Sequence, residues 1–308
     1  MIKTTTTPKF NSSINKMSPF FRLFLFAALI HSTLFCSFLY GGEQETTFAR
    51  IISLYPAHSE NLTALGLTQE LIGIAASDTY PPQILSKQRF SHHDNAEKFI
   101  AANPDLVLIR PMIARAAPQL MEQLRSAGIT VISLQPRTID EMLSYWMTLG
   151  RLTGREEAAR QMVAEFKMGL NKTKQAIEMI PSKDRPRVYF ESIHAKMKTF
   201  APASIALFVL EQAGGRNIAT DAVARKNSNI AAYGKERILF HAGEIDIFLA
   251  QQGRMNRVST TEILQEPGFQ AIKAIGEGKV FLVDEQLVSR PTPRILEGID
   301  TIQKILHP

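Results

Sequence analysis

The chain has 308 residues, of which 45% are hydrophobic and 21% charged, a composition typical of globular proteins and unlike that of disordered or fibrous ones. The formal net charge is +6, and four of the positive charges precede residue 43, which leaves the rest of the chain close to neutral at +2. Because this remainder has no run of lysine or arginine, it lacks an electrostatic footprint for nucleic acid, and we exclude that class of partner.

Residues 1–42 have the pattern of a signal peptide. Positive residues precede an apolar segment from Leu23 to Tyr40, and two glycines follow it. This segment is about 18 residues long, the lower limit for crossing a bilayer, so the pattern favours cleavage over an uncleaved anchor. Met17 offers an alternative start. We therefore expect the folded part of the chain to be periplasmic.

The only cysteine, Cys36, lies within this leader. Phe35 directly before it argues against attachment of a lipid at Cys36, because lipoprotein cleavage needs small residues there. The chain after the leader has no disulfide and no cysteine metal site. Any metal chemistry must use histidine, tyrosine or carboxylate side chains.

Short apolar runs alternate with amphipathic stretches after the leader, which indicates α/β units. We predict strands at residues 50–54, 71–75, 105–109 and 129–134, and helices at 59–65, 96–102 and 114–127. Ser59 is the expected cap of the first helix, and Gly66 its end. These elements predict an N-terminal α/β lobe over residues 43–137.

The segment from Thr138 to Ile180 contains no proline and predicts two helices within a helical region at 138–181. The second helix, over residues 156–180, would be about 37 Å long at ~1.5 Å per residue, enough to pass from one domain to the next. Strands predicted at 187–191, 246–250 and 279–283, with helices at 203–213, 236–241 and 294–306, then form a second α/β lobe over residues 182–308.

The sequence therefore predicts an α/β fold of two Rossmann-like lobes joined by a single long α-helix. A ligand cleft is expected between the lobes, at the carboxyl ends of the strands. The sequence contains no Gly-x-Ser-x-Gly elbow, no Walker loop, no Gly-x-Gly-x-x-Gly after a strand and no His-Glu-x-x-His motif. The absence of these motifs is consistent with our prediction of a protein that is not an enzyme and needs no cofactor.

Polar residues cluster in the connections that follow the predicted strands. Donors, imidazoles and an aromatic ring in these places are suited to an anionic or metal-chelated ligand. The adjacent pair His92 and His93 precedes a helix, where it could bind a metal or cap that helix. The residues in these connections are His58, Asp78, Thr79, Tyr80, Ser91, His92, His93, Asp94, Arg110, Glu191, His194, Lys196, Lys198 and Arg290.

Several motifs occur in an order that resembles a known family. They are Arg-Ile-Ile-Ser-Leu-Tyr-Pro-Ala at 50–57, Tyr-Pro-Pro at 80–82, Asn-Pro-Asp-Leu-Val at 103–107, Gly-Gly at 214–215 and Pro-Arg at 293–294. Together they resemble periplasmic receptors of ABC importers for cobalamin, ferric siderophores and haem, over nearly all of the chain after the leader. The resemblance implies a rigid long helix, little closure around the ligand, a monomeric receptor, and a permease with its ATPase subunit as partners.

The resemblance also implies which residues bind the ligand and which bind the permease. Glu97 and Glu236 match two acidic docking points, one on each lobe, that meet arginines of the permease. A carboxylate in a first helical turn suits this role, because it is stabilised there and can accept bidentate bonds. His92 and His93 are candidate metal ligands through the bound chelate. The matching ligand positions are Pro56, Ala57, His58, Tyr80, Phe90, His92, His93, Arg110, His194, Lys198, Phe200, Tyr233 and Arg290.

The cationic and imidazole groups favour an iron complex, either a ferric siderophore or haem. A corrinoid needs broad apolar walls, and the only tryptophan, Trp146, lies in a predicted helix. A cobalamin receptor of the same family remains the alternative. Two alternatives come from other classes of protein. An extracytoplasmic tetrapyrrole metal chelatase would turn over a porphyrin or corrinoid. A structural or sensor protein would show no shift of its melting temperature with an iron complex or a corrinoid.

Overall fold

The computed structural model describes residues 47–224 and 228–308 of the chain. The predicted signal peptide at 1–42, with Cys36, lies outside these residues. Within the part that is described, no helix is both long enough and apolar enough to span a bilayer.

The first sheet consists of five parallel strands in the order β3-β2-β1-β4-β5. Its middle strands are short runs of buried residues, as expected for a sheet covered on both faces. Its strands are β1 Ile51–Ser53, β2 Leu71–Ala75, β3 Gln88–Phe90, β4 Leu106–Ile109 and β5 Thr130–Ser133. Its helices are α1 Pro56–Ala64, α2 Ala96–Ala102, α3 Pro111–Ala116 and α4 Pro118–Ser126.

Two of these helices differ from the prediction because of proline. Helix α1 begins at Pro56 rather than after Ser59, since proline is favoured in the first helical turn and Tyr55 takes the capping position. The predicted helix at 114–127 is divided at Ala117, where Pro118 begins α4. The first change places His58 and Ser59 inside a helix instead of in a loop.

Two helices connect the sheets. Helix α5 spans Ile139–Thr153 and α6 spans Glu156–Glu178, a length of 23 residues. Thr138 caps α5 by accepting a hydrogen bond from the backbone N–H of Glu141, and Gly154 ends it in the left-handed conformation. The long connecting helix of the prediction is therefore α6.

The second sheet follows the order β12-β11-β6-β7-β10-β9, with β8 beside β6. Strands β6, β11 and β12 are parallel, whereas β7, β10 and β9 pair antiparallel. The strands are β6 Arg187–Ile193, β7 Lys198–Phe200, β8 Arg216–Asn217, β9 Val223–Ala224, β10 Ile230–Ala232, β11 Ile247–Gln252 and β12 Val280–Asp284. The helices are α7 Ile205–Gln212, α8 Lys235–Phe240, α9 Thr260–Gln265, α10 Lys273–Gly276, α11 Glu285–Val288 and α12 Ile295–Leu306. Strands β3 and β7–β10 and helices α9–α11 were not predicted.

One hydrophobic core runs through both sheets and the connecting helices. Neighbouring residues of a strand face opposite layers, so Ile51 and Val188 enter this shared core while Ile52 and Tyr189 enter separate outer ones. The rings of Trp146 on α5 and Phe166 on α6 meet edge to face at 5.2 Å within the shared core. The two-lobed α/β fold with a long connecting helix is thus confirmed, whereas the lobe boundaries at residues 137 and 181 stay a proposal.

Candidate functional site

The carboxyl ends of the strands in the two sheets face each other. Thr79, which follows β2, donates a hydrogen bond to Gln286, which follows β12, at 3.2 Å. The guanidinium of Arg294 lies 4.1 Å from the centre of the Tyr80 ring. Crevices at such strand ends are the usual ligand sites of α/β proteins, so the candidate site lies along this junction between the lobes.

A buried ion pair joins the lobes at this junction. The Glu60 carboxylate on α1 accepts a hydrogen bond from Nη1 of Arg290, and Nη1 of Arg294 lies 3.8 Å from its second oxygen. Glu60 is 5% exposed, and burial raises its pKa while both arginines oppose that rise. Ligand binding by Arg290 stays a prediction, and its anionic partner in the structure is Glu60 of the same chain.

Asn61 and Trp146 both donate hydrogen bonds to the carbonyl oxygen of Pro291, at 2.9 and 3.3 Å. Asn61 also donates to the hydroxyl of Tyr145 at 3.2 Å. The segment at 290–294 is therefore held against both α1 and α5.

His58 is part of the same buried network. The Tyr145 hydroxyl lies 2.7 Å from its Nδ1, and the carbonyl oxygen of Ile109 lies 3.0 Å from its Nε2. Because a carbonyl can only accept, Nε2 carries the proton and Nδ1 accepts from Tyr145. Burial lowers the pKa of His58 to about 4, so the ring is neutral. The predicted exposed loop histidine is thus a fully buried helix residue.

The N-terminal side of the cleft carries a cation on an aromatic ring. Arg110 directly follows β4, and its guanidinium lies 5.1 Å from the centre of the Tyr55 ring. Its Nη2 lies 3.6 Å from the sulfur of Met112, whose side chain is 42% exposed. The ring centres of His92 and His93 lie 4.0 Å apart, with the rings tilted. Burial lowers the pKa of His92, and the charges of His93 and Arg110 lower it further. The structure thus brings His92 together with His93, and Arg110 together with Tyr55.

The C-terminal side of the cleft is built on the ends of β6 and β11. His194 follows β6, and its Nδ1 lies 3.0 Å from both carboxylate oxygens of the fully buried Glu191, a bond that raises the pKa of His194. After β11, the backbone N–H groups of Arg254 and Met255 donate to the two carboxylate oxygens of Glu285 at 2.9 and 3.1 Å. Lys196 is exposed, and Lys198 is half-buried within β7.

Five further predicted contacts are buried, and their contact with the ligand stays a prediction. Phe90 packs on Phe99 with ring centres 4.9 Å apart, and Phe200 packs on Phe190 at 4.7 Å. Both belong to the hydrophobic core, because their strands are covered on the faces they occupy. The five residues are Pro56, Ala57, Phe90, Phe200 and Tyr233.

The two predicted docking acids are both exposed and lie in first helical turns. Glu97 is in the first turn of α2, beside a cavity of about 360 Å³ that Ala116, Pro118 and Gln123 help to line. Glu236 is in the first turn of α8. Large exposed apolar side chains follow each of them within one turn: Ile100 is 44% exposed and Phe240 is 81% exposed.

Four candidate site residues were not predicted: Tyr55, Met112, Arg254 and Met255. All four follow the end of a strand within three residues, and that position was the available signal. Over residues 47–224 and 228–308, no three histidine, cysteine, aspartate or glutamate side chains form a group that could hold a metal ion. Metal binding by His92 and His93 through a chelate stays a prediction.

Comparison with known proteins agrees with this fold. An uncharacterized ABC transporter substrate-binding lipoprotein of Bacillus subtilis is 26% identical over 265 residues, which cover 84% of this chain and 80% of that protein. The vitamin B12-binding protein of Vibrio cholerae is 27% identical over 261 residues, covering 82% and 87%. The solved structure of a possible iron-binding (periplasmic solute-binding) protein from Staphylococcus epidermidis has a TM-score of 0.74 and 26% identity, covering 85% of this chain and 100% of that one. Residues 51–287 match the family itself, so this chain belongs to the periplasmic binding protein family.

Proposed function

We propose that this protein is the extracytoplasmic substrate-binding component of an ABC importer. It captures an iron complex, either a ferric siderophore or haem, between its lobes and delivers it to a membrane permease driven by an ATPase subunit. The observation that carries this proposal is the placement of Arg110 on the Tyr55 ring, directly after β4, at the strand ends that face the other lobe. The proposal gives the protein no catalytic step.

The chemistry of this surface suits an anionic iron chelate. A guanidinium forms strong, paired hydrogen bonds with carboxylates, and imidazole is a good ligand for iron. Because Tyr55 and Met112 hold the guanidinium on two sides, little side-chain entropy is lost when it binds. The Staphylococcus epidermidis relative, described as a possible iron-binding protein, supports the same ligand class.

A corrinoid is the alternative ligand, because a relative of similar identity is a vitamin B12-binding protein. The described cleft residues give it less support. Trp146, the only tryptophan in the sequence, is fully buried against Phe166 and offers no wall to a ligand. Tyr80 is an exposed aromatic side chain at this junction, but the Arg294 guanidinium already lies over its ring, 4.1 Å from the ring centre.

The permease would dock on the two exposed acids, Glu97 and Glu236. Each is a carboxylate in a first helical turn, which basic side chains of a membrane partner can approach. Ile100 and Phe240, exposed within one turn of them, would supply apolar contact beside each charge. The opposite lobes would then engage the two halves of a permease.

Equilibrium titration of the purified protein tests the ligand class. The probes are ferric protoporphyrin IX, a ferric trihydroxamate and cyanocobalamin, each followed by absorbance and tryptophan fluorescence. Arg110→Ala should weaken binding of the preferred iron probe by about 1.5–3 kcal/mol, the range for hydrogen bonds to charged groups. Arg125→Ala, at the exposed end of α4, is the matched control.

Wild-type affinity in Arg110→Ala, or binding of cyanocobalamin alone, would overturn the iron proposal. The double variant His92→Ala with His93→Ala asks whether imidazole contacts the iron. A changed charge-transfer band would support that contact, and an unchanged band would show that the chelate alone satisfies the metal.

A further inference from the structure

Basic residues flank both of the exposed acids that the proposed function assigns to permease docking. Lys98 directly follows Glu97. In the other lobe, Lys235 and Arg237 lie on either side of Glu236. An unpaired cation beside a docking acid would repel the basic side chains of a membrane partner, because like charges at an interface are unfavourable. The partners of these three cations therefore decide which charge each surface presents.

The lysine beside Glu97 is engaged by a different carboxylate. The Lys98 ammonium lies 2.7 Å from Oδ2 of Asp94, four residues earlier, and 5.1 Å from the centre of the Phe90 ring. Asp94 is itself held in place, because the same oxygen accepts a hydrogen bond from the backbone N–H of Ser91 at 2.8 Å. The charge of Lys98 is thus drawn toward the segment before α2.

The cavity of about 360 Å³ beside Glu97 is lined by carboxylates, amides and apolar groups. Asp94 and Glu97 supply the carboxylates, and Asn95, Gln119 and Gln123 supply the amides. None of the described residues that line this cavity is basic. A basic side chain of a partner can therefore enter the cavity next to Glu97 without meeting a cation in its lining.

Lys235, which precedes Glu236, is bound to the segment directly after α9. Its Nζ forms an ion pair with Glu266 and donates a hydrogen bond to the carbonyl oxygen of Pro267 at 3.3 Å. Gly234 has a left-handed φ of 94°, and a Cβ there would lie 3.3 Å from Oε2 of Glu236. Glycine thus leaves room for the Glu236 carboxylate at the start of α8.

Arg237, which follows Glu236, is also paired within its own lobe. Its Nη1 lies 3.6 Å from Oδ2 of Asp221, and its guanidinium carbon lies 5.7 Å from the centre of the Tyr233 ring. By contrast, neither Glu97 nor Glu236 has a hydrogen bond or an ion pair with another residue in the part of the chain that the structure describes. In both lobes the flanking cations have acidic partners, and the docking acid does not.

We propose that three acidic residues are positioning residues for permease docking, because each engages a cation that flanks a docking acid. They are Asp94, Asp221 and Glu266. Each docking surface then holds one more carboxylate than cations, with two against one around Glu97 and three against two around Glu236. This inference rests on the proposed function and adds the residues that set the charge of its docking surfaces.

Equilibrium binding of the full mature chain to its cognate permease, held with the ATPase subunit in lipid nanodiscs, tests the inference. Asp94→Asn and Asp221→Asn each release a cation while keeping an oxygen that can accept a hydrogen bond. Each should weaken association about fivefold at low salt, the effect of one unit charge at contact distance in water, and the loss should shrink at about 1 M salt. Asp300→Asn releases Lys304 from a 2.6 Å ion pair on α12 and is the matched control, which should bind like the wild type.

Removal of the released cation separates this role from a structural one. Asp94→Asn with Lys98→Gln should bind the permease as tightly as the wild type, because no free charge is left beside the docking acid. Asp221→Asn with Arg237→Gln should behave in the same way. A loss that persists in these double variants, or that is the same at both salt concentrations, would show that the acids are only structural and would overturn the inference.

The outcomes also separate this inference from the proposed function. If Glu97→Ala with Glu236→Ala abolishes association but Asp94→Asn and Asp221→Asn bind like the control, the proposed function stands and the inference is wrong. If the wild type does not associate with the permease, or if the glutamate double variant binds like the wild type, docking through these acids and the inference both fail. Thermal unfolding of each variant shows that a loss of association does not come from misfolding.

Discussion

Two carboxyl groups, Glu60 and Asp78, are buried where the lobes meet. Glu60 has two arginines near it, whereas the Asp78 carboxylate has the hydroxyl of Ser59 at 3.2 Å. A buried carboxylate without a close cation is costly in its charged form. The two residues should therefore respond differently to pH and to substitution.

Asp78→Asn should change how stability depends on pH. Burial raises the pKa of Asp78 to about 6 from its ordinary value of 3.8, so between these pH values the folded chain binds more protons than the unfolded one. The free energy of unfolding of the wild type therefore falls as pH rises through this window, by ~2–3 kcal/mol from this group. The variant lacks that loss, so its stability relative to the wild type should grow from pH 4 to pH 7.

Urea unfolding at both pH values measures this difference. Asp140→Asn, an exposed aspartate in the first turn of α5, is the control and should follow the wild type. Parallel pH profiles of Asp78→Asn and the wild type would show that Asp78 is ionised without penalty.

The ion pair between Glu60 and Arg290 should show strong coupling in a double-mutant cycle. Arg290→Ala leaves a carboxylate that is 5% exposed without its closest cation, which should cost about 3–5 kcal/mol of unfolding free energy. Glu60→Ala in the same chain removes the unpaired charge, so the double variant should lose less than the sum of the single losses. Additivity to within about 0.5 kcal/mol would mean that the pair does not join the lobes energetically.

At the scale of elements, α5 and α6 determine how the lobes are joined. Trp146 and Phe166 are buried in a core that also contains residues of both sheets. Gly150 lets the two helices approach, because a Cβ there would lie 2.7 Å from that of Ala159. The connecting helices are thus part of the core and not a flexible tether.

Phe166→Ala should lower the free energy of unfolding by about 3–5 kcal/mol, the usual cost of removing a buried phenyl ring. Because the core is shared, denaturation should remain a single transition with one midpoint for both lobes. Met168→Ala, 58% exposed on the same helix, should change stability by less than about 0.5 kcal/mol. Two separated transitions, or equal effects of the two variants, would contradict a shared core.

Elements with a local pattern were predictable from the sequence. The predicted bounds 71–75 and 96–102 are those of β2 and α2, because an apolar run and an Asn95 cap identify them without reference to the rest of the chain. Strands β8 and β9 are two residues long and exist only through pairing with distant segments, so no local pattern could indicate them.

The site was predictable in part for the same reason. Arg110 and the histidine pair follow strands, a position that the sequence reveals. The burial of His58 and Phe90 was not visible in the sequence, because it depends on where α1 begins and on how β3 packs. The same residue types serve cores and sites, so only the three-dimensional packing separates them.

At the scale of the whole molecule, the docking proposal separates a receptor from a storage protein. Glu97→Ala with Glu236→Ala should leave ligand affinity unchanged and prevent delivery, because the loss of charged partners at an interface costs about 2–5 kcal/mol. Uptake of the bound ligand into vesicles that carry the cognate permease is the measurement, with a direct titration beside it. Glu122→Ala with Glu157→Ala, two exposed acids elsewhere, is the control.

Unchanged uptake by the Glu97 and Glu236 double variant would show that these acids have no role in docking and are merely residues at the start of their helices. Loss of both binding and uptake would show that they are structural. The proposal requires the intermediate pattern, with normal binding and failed delivery.

The optical spectrum and mass of the compound that co-purifies with the protein from its native periplasm test the central claim most directly. We expect iron bound in about equal proportion to protein, together with the mass of its organic chelator and the absorption of a ferric complex. Cobalt with the absorption of a corrinoid, or a protein that carries no metal chelate under iron-replete growth, would contradict it.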